Sequence, residues 1–387
     1  MRFGFASSPP TVGMELEWHF LHAEDGTLAD AGLSVVSSFS EDPHIKPELL
    51  QCTVETTAGP GRSVRDLRQP LLARVSRVRR RCEELGLRLC GTGTHGLASG
   101  LREVTPSERY LRVSRTGMFM SRRLQATCSL HVHVGMPSLE ETLRVMFTLR
   151  GVVPALLALS SSSPFWDGHD TGFSSFRQRL LAMTPNYGPA PEMRAGGDFR
   201  RVMDVVERAG IGFEFRDVHW DLRPRPDYGT LELRICDAQP TIEASLALAA
   251  LVHCLMVAVL EHDPVVLGHL PCPLPPWLER ENAFRASRYG LDAELLVDDD
   301  GEVIAAKELL TALVTALVPV GIRLDVGDLL YALTATLRDG SWAERARTHF
   351  VTTRDLAMTM QWLADQLDEE LRQWQGEPWH PSWGPPL

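Results

Sequence analysis

Hydrophobic and polar positions alternate strictly over residues 11–20. Val12, Met14, Leu16, Trp18 and Phe20 share one side and Gly13, Glu15, Glu17 and His19 the other, the period of a half-buried β-strand. Two later stretches repeat this. Leu130, Val132 and Val134 face away from His131 and His133 in a strand ending at Gly135. Over residues 228–237, Leu231, Leu233 and Ile235 alternate with Thr230, Glu232, Arg234 and Cys236. Elsewhere the period is helical. Apolar residues at 67, 71, 72, 75, 78, 82 and 85 predict a helix over 66–85, stopped by Gly86 and followed by a short strand at 87–90. Ser138 and Glu141 have capping-box spacing and open a helical pattern reaching about residue 159. Residues 160–191 are dense in serine, glycine and proline and read as loop. Further helices are expected at about 241–260, 302–318, 326–337 and 342–373, with a proline- and tryptophan-rich arm at 374–387. With no internal repeat and no low-complexity linker, residues 1–387 read as a single α+β domain with helices packed on a sheet.

Composition narrows the function classes. Hydrophobic residues make up 44% and charged residues 23% of the chain, and the net charge is −11. These are the proportions of a packed globular protein, and the acidic balance lacks the basic stripe that a nucleic-acid partner requires. The arginine-rich run at 77–81 lies in a helical pattern and reads as a solvated face. Seven cysteines without a CxxC pair suggest a reducing compartment, and residues 1–10 are too short and polar for a signal peptide, so a cytoplasmic protein is expected. Residues 244–260 approach the length of a membrane span. His253 inside them and Glu243, Glu261 and Asp263 around them favour a buried core helix instead, with no membrane partner.

The three alternating strands carry chemistry on their polar sides: Glu15 and Glu17, His131 and His133, Glu232 and Arg234. Carboxylates and imidazoles brought to one sheet face repel one another unless a cation neutralises them, and oxygen-rich sites of this kind suit magnesium or manganese. Magnesium completes its shell with substrate phosphates, which points to a nucleotide, and Arg234 on the same face is placed for a transferring phosphoryl group. Glu48 and Glu55 add two acids. Their spacing of seven puts them on opposite faces of an unbroken strand, so a turn or bulge must intervene if both are ligands. Residues 91–96 form a GxGxxG string after a short strand, but no helix start follows and no acidic strand end lies near 116, so a dinucleotide fold is not expected. There is no GxxxxGK[ST] loop, no GxSxG elbow and no distinctive cysteine context.

Eight blocks, in order, resemble the carboxylate–amine ligase branch of the type 2 glutamate–cysteine ligases, relatives of glutamine synthetase. They are Gly13-Met-Glu-Leu-Glu17; Lys46-Pro-Glu-Leu-Leu-Gln with Val54-Glu-Thr56; Gly93-Thr-His95; His131-Val-His-Val-Gly135; the stretch from Ser163 to Arg177; Trp220-Asp-Leu-Arg-Pro224; Gly229-Thr-Leu-Glu-Leu-Arg234; and Glu281-Asn282 with 285–291. The resemblance implies an antiparallel sheet of the glutamine-synthetase catalytic type, ATP and Mg2+ (or Mn2+) as cofactors, and small-molecule carboxylate and amine substrates. A homodimer is the assembly it suggests. By position it implies Glu15, Glu17, Glu48, Glu55, His131 and Glu232 as metal ligands, and His133, Arg223 and Arg234 at the phosphates, the two arginines being catalytic. His95, Arg177, Arg285 and Arg288 are its substrate-binding candidates. The implied reaction makes an acyl phosphate from ATP and a carboxylate, then an amide by amine attack, with glutamate and cysteine as one substrate pair. Departures from the family pattern at Gly96, His169, Phe284 and Glu344-Arg345 are expected to shape the substrate end. The alternatives are a ligase with another substrate pair in a specialised pathway, a guanidino-kinase-like phosphotransferase, and a non-catalytic binding protein.

Overall fold

The computed structural model describes residues 4–5, 10–124, 126–184, 186–210 and 217–375. The first alternating stretch becomes the long strand β1 (Val12–His22), and six strands assemble on it: β2 (Ile45–Pro47), β3 (Thr53–Gly61), β4 (Leu87–Cys90), β5 (Leu130–Gly135), β6 (Leu222–Arg225) and β7 (Thr230–Leu233). Their order is β6-β7-β5-β1-β3-β2, with β4 taking over the β5 side of β1 at His19–His22. Every pairing in this sheet is antiparallel. The third alternating stretch pairs over four residues only. Beyond Leu233 the chain leaves the ladder, as the Arg234 N–H bonds the Asp221 carbonyl and Asp237 returns to bridge Ser129.

The apolar side of the sheet is covered by α1 (Arg65–Glu84) and α2 (Ile242–Leu260). The helix α1 presents Leu67, Leu71, Leu72, Val75 and Val78 to Val12, Met14, Leu16, Val54 and their neighbours in one cluster. Each such side chain, fully removed from water, contributes about 1.5–3 kcal/mol. The nearly all-apolar sequence of α2 follows from its place, since the sheet covers one flank and the helices Ala306–Arg323 and Gly327–Asp339 the other. Among the described residues two stretches are long and apolar enough to cross a membrane, Leu139–Ser160 and Ile242–Leu260, and both are mostly buried inside the fold.

Caps fall where the sequence places them at Ser138, which accepts from the Glu141 N–H, and at Gly86, which takes a positive φ after α1. The long helix expected at 342–373 is two helices, Trp342–Thr353 and Leu356–Gln375. Arg354 adopts a left-handed conformation between them, and the Asp355 side chain accepts from the Met358 N–H at the start of the second. Trp374 and Gln375 of the expected arm belong to that last helix, and 376–387 lie outside the described residues. The helices Glu108–Gly117, Gly196–Arg208 and Pro276–Tyr289 are additions to the sequence reading.

The GxGxxG string has a packing explanation. A Cβ on Gly91 would stand 2.0 Å from the Gln239 carbonyl oxygen, and one on Gly93 would stand 2.6 Å from the Asp237 carboxyl carbon. The chain here passes against a buried hub, Asp237, whose carboxylate accepts from the Ser162 N–H and from the Ser163 and Ser175 hydroxyls. Gly91→Ala is therefore expected to destabilise the fold by about 1–3 kcal/mol, the usual effect of overpacking, as read from denaturant midpoints; an unchanged midpoint would contradict this contact.

Candidate functional site

Antiparallel register puts directly opposed residues on the same face. Gly13 opposes His133, Glu15 opposes both Thr57 and His131, and Glu17 opposes Glu55. His133 also opposes Glu232, which opposes Arg223 on its other side, while Lys46 opposes Glu55. The non-apolar face therefore carries three charged rows: Arg223-Glu232-His133, His131-Glu15 and Glu17-Glu55-Lys46. Glu48 lies in the connection after β2, so no strand geometry constrains it, and the awkward spacing from Glu55 is resolved by that loop.

Two clusters stand out within the rows. Carboxylate or imidazole atoms of Glu15, His133 and Glu232 lie within 4.8 Å of one another, as do those of Glu17, Glu48 and Glu55. His133 Nε2 is buried and 3.2 Å from Glu15 Oε1 yet makes no hydrogen bond, while its Nδ1 meets Thr230 Oγ1 at 3.1 Å. An imidazole nitrogen left without a hydrogen-bond partner beside two carboxylates fits a divalent cation, as do three converging carboxylates. His131 joins neither triplet: its Nδ1 donates to Glu15 at 2.9 Å and its Nε2 meets Ser129 Oγ at 2.9 Å. Ser129 in turn gives its N–H and hydroxyl to Glu17. Glu232, fully buried, is gripped bidentately by Arg223 at 2.8 and 3.1 Å and also bonds Arg234, with Arg225 at 3.7 Å.

The protonation pattern follows from these contacts. Burial alone would raise Glu232, but Arg234 and Arg223 hold its carboxyl well below the usual range, and His133 and His131 likewise outweigh burial at Glu15. In the acidic triplet the balance reverses. Burial and the charges of Glu17 and Glu55 push Glu48 well up, and burial with Glu15 raises Glu55 to about 7 against the pull of Lys46, 2.8 Å away. Burial and neighbouring Arg234 lower Arg223 to about 10, and burial with the same arginine keeps His219 neutral.

A two-ended cavity opens over this face. The larger half, about 620 Å³, is lined by Glu15, Lys46, Glu55, His131, Arg223, Arg225 and Tyr228. The smaller, about 280 Å³, is lined by Leu49, Val113, Met120, Ser129, Arg177, Leu181 and Tyr187. Glu17, Glu48, Arg109, Tyr110, His219 and Arg234 line both, so Glu17 and Glu48 of the acidic triplet, together with Arg234, mark the waist.

The sequence-derived substrate candidates scatter. Arg177 reaches the smaller half, although its guanidinium bonds the Ile235 and Arg234 carbonyls. His95 is buried edge-on to His19 and lines neither half. Arg285 bonds Glu281 and the Glu294 carbonyl, and Arg288 lies over Phe173 and Tyr289, both outside the cavity lining. The departures expected to shape the substrate end, Gly96, His169, Phe284, Glu344 and Arg345, line neither half of this cavity, and a side chain on Gly96 would meet Leu356 and Phe165. Sequence reasoning missed Arg109, Tyr110, Lys46, Arg225 and His219. The first two project from the helix Glu108–Gly117, where Ser107 caps the chain, Arg109 bonds Asp217 at 2.7 Å and Tyr110 donates to the Pro47 carbonyl. The cap was the available signal.

Residues 11–372 match the profile of the glutamate-cysteine ligase family 2. The chain belongs to that family. A relative from Trichormus variabilis, provisionally named glutamate–cysteine ligase 2, is 37% identical over 95% of both chains. One from Mycobacterium sp. strain KMS, named in the same provisional way, is 35% identical over 89% of this chain and 92% of its own. Among solved structures, the glutamate–cysteine ligase of Francisella tularensis in complex with AMP superposes with a TM-score of 0.63 at 14% identity, covering 97% of this chain and 95% of its own. A bifunctional glutathione synthetase from Pasteurella multocida gives 0.68 at 14% identity, over 94% of this chain and 53% of the other. The fold is accordingly that of the glutamine-synthetase-like ligases, and this family member is an ATP-dependent enzyme joining a carboxylate to an amine.

Proposed function

We propose that ATP occupies the larger, charged half of the cavity, that its γ-phosphoryl group passes at the waist to a substrate carboxylate, and that an amine attacks the acyl phosphate from the smaller half. The observation that carries this reading is Glu232, buried between Arg223 and Arg234 while sharing a ligand triplet with Glu15 and His133. Glu15, His133 and Glu232 would hold one divalent cation and Glu17, Glu48 and Glu55 another. Mg2+ or Mn2+ there supplies neutralisation of phosphate charge and polarisation of the transferred group. Arg223 and Arg234, fixed by Glu232, stabilise charge on the phosphoryl oxygens without having to reorganise during the reaction. Lys46 and Arg225 add positive charge on the nucleotide side. Tyr110 and Arg109 close the waist and exclude water, which would otherwise hydrolyse an acyl phosphate.

The names of the relatives make the γ-carboxylate of glutamate and the amine of cysteine the first pair to offer. All seven cysteines are free, six of them buried, which supports a reducing, cytoplasmic setting. ADP and phosphate release by the purified protein with Mg-ATP should require a carboxylate and an amine together, and mass spectrometry should find their sum less one water. A stable phosphorylated substrate would replace ligation with a kinase, and ATP turnover indifferent to both substrates would reject the mechanism.

A further inference from the structure

The amide-forming step of the proposed reaction needs a group that the phosphoryl transfer does not. When the amine attacks the acyl phosphate, a C–N bond forms and the carbonyl π pair moves onto the acyl oxygen. Collapse re-forms the carbonyl and breaks the bond from carbon to the phosphate oxygen, and the phosphate leaves with the proton that the amine gives up. Charge gathers on the acyl oxygen only in between, so a hydrogen-bond donor fixed beside that oxygen speeds the step. Arg223, Arg234 and the two ligand triplets serve the phosphate oxygens, and the acyl oxygen has no partner among them.

Such a donor has to stand at the waist, where the two substrates meet. Of the groups that line both halves of the cavity, Glu17 and Glu48 are carboxyl groups. Tyr110 already gives its hydroxyl to the Pro47 carbonyl, and Arg109 is held by Asp217 with its Nε buried. Arg234 is committed to Glu232. His219 remains. It is half-buried, and its Nδ1 stands 3.4 Å from Arg234 Nη2. A guanidinium only donates, so Nδ1 carries the lone pair and the ring proton sits on Nε2. Among the described residues Nε2 has no hydrogen-bond partner. The backbone behind the ring is fixed: the strand His219–Trp220 pairs with Tyr187–Gly188, the His219 N–H bonds the Asn186 carbonyl, and Trp220 is buried. Burial with Arg234, Arg223 and Arg109 keeps the imidazole neutral, and a neutral imidazole holds its N–H proton while it polarises a carbonyl.

We infer that His219 Nε2–H is the donor to the acyl oxygen, with its tautomer set by Arg234, and that it serves amide formation and not phosphoryl transfer. This rests on the proposed meeting of acyl phosphate and amine at the waist. One chain of contacts, Glu232 to Arg234 to His219, then links the two steps. The carboxylate that fixes the arginine for phosphoryl transfer also fixes, through it, the imidazole for acyl transfer.

The test compares His219→Ala, His219→Gln and His219→Asn in the full-length protein, with Mg-ATP and a carboxylate and amine that the wild type ligates. The side-chain amide nitrogen of glutamine reaches the place of Nε2, and that of asparagine the place of Nδ1. In the alanine and asparagine variants kcat for amide formation should fall by about 10²-fold or more, with KM for ATP within about twofold, and glutamine should recover about tenfold of the loss. Phosphoryl transfer is read separately, by positional isotope exchange in labelled ATP with the carboxylate alone, and should survive all of these substitutions. An alanine variant with undiminished kcat overturns the inference, as does equal activity of the glutamine and asparagine variants. Loss of isotope exchange alongside ligation also overturns it, because a structural role would remove both. A wild type that makes a stable phosphorylated substrate, or no amide with any amine, removes the ligase reading itself and the donor role with it.

Discussion

Glu232→Ala is expected to abolish ligation and to destabilise the fold by about 3–5 kcal/mol, the usual consequence of removing one partner from a buried ion pair. The carboxylate is fully buried and holds Arg223 and Arg234 in place, with Arg225 nearby. Deleting it leaves two or three guanidinium groups facing one another in a low-dielectric site. Burial and Arg234 already lower Arg223 to about 10 with Glu232 present, so the protein has little tolerance for more positive charge there. Glu232→Gln separates the two roles. It preserves shape and some hydrogen bonding, so the stability loss should be smaller, while the missing charge should reduce kcat by more than about 10²-fold, comparable to the loss of one preorganised charge-stabilising group. Denaturant unfolding beside steady-state ADP release reads both, and a stable, active alanine variant would remove Glu232 from the mechanism.

Metal binding should show a pH dependence centred on Glu55. Its carboxyl sits at about 7 in the folded protein against an ordinary 4.5, because burial and Glu15 outweigh Lys46. Between those values the native state binds more protons than the unfolded one. The stabilising proton is therefore fully present below the ordinary value and lost as pH rises through about 7. Metal-free protein should accordingly be less stable at pH 8 than at pH 6. Mn2+ needs the deprotonated form, so its stabilising effect should be larger at pH 8, reaching about 2.7 kcal/mol at a hundred times Kd. Glu55→Gln should reduce the metal-free trend, to which Glu48, Asp221 and Glu370, whose carboxyls burial also raises, contribute as well, and should remove most of the Mn2+ gain. Thermal unfolding in EDTA and in Mn2+ at the two pH values decides it, and an Mn2+ shift unchanged in Glu55→Gln would exclude Glu55 as a ligand.

The strands that carry the site were legible because each sets apolar side chains against the core on one face and polar side chains toward the site on the other, so a period of two survives in the sequence even where, as at Leu130–Gly135, every position is buried. Val12 to Phe20 and Leu130 to Val134 announce themselves in this way. What alternation does not contain is register. That Glu17 meets Glu55, and that His133 lies between Gly13 and Glu232, depends on pairings between segments about a hundred residues or more apart in the second case. The grouping of His133, rather than His131, with Glu15 and Glu232 belongs to this non-local layer. Arg109 and Tyr110 went unread for another reason: apart from the Ser107 cap they sit on a short helix whose composition resembles any surface helix, and only the tertiary fold brings one side of it to the waist. The break at Arg354 went unread because neither glycine nor proline marks it, and a left-handed arginine leaves no compositional trace.

By composition, the serine- and glycine-rich run after Ser160 would be taken for the most mobile part of the molecule. Asp237 reverses that expectation. One carboxylate gathers Ser162, Ser163 and Ser175 at a single buried point beside the ladder, so these contacts cannot loosen one at a time without stranding a charge in the interior. Ser162, Ser163 and Ser175 are thereby tied to the end of the sheet, and opening them should be harder than the serine and glycine content of the run suggests. Arg177, two residues beyond the anchored Ser175 and in the lining of the smaller half of the cavity, is therefore presented from a fixed point.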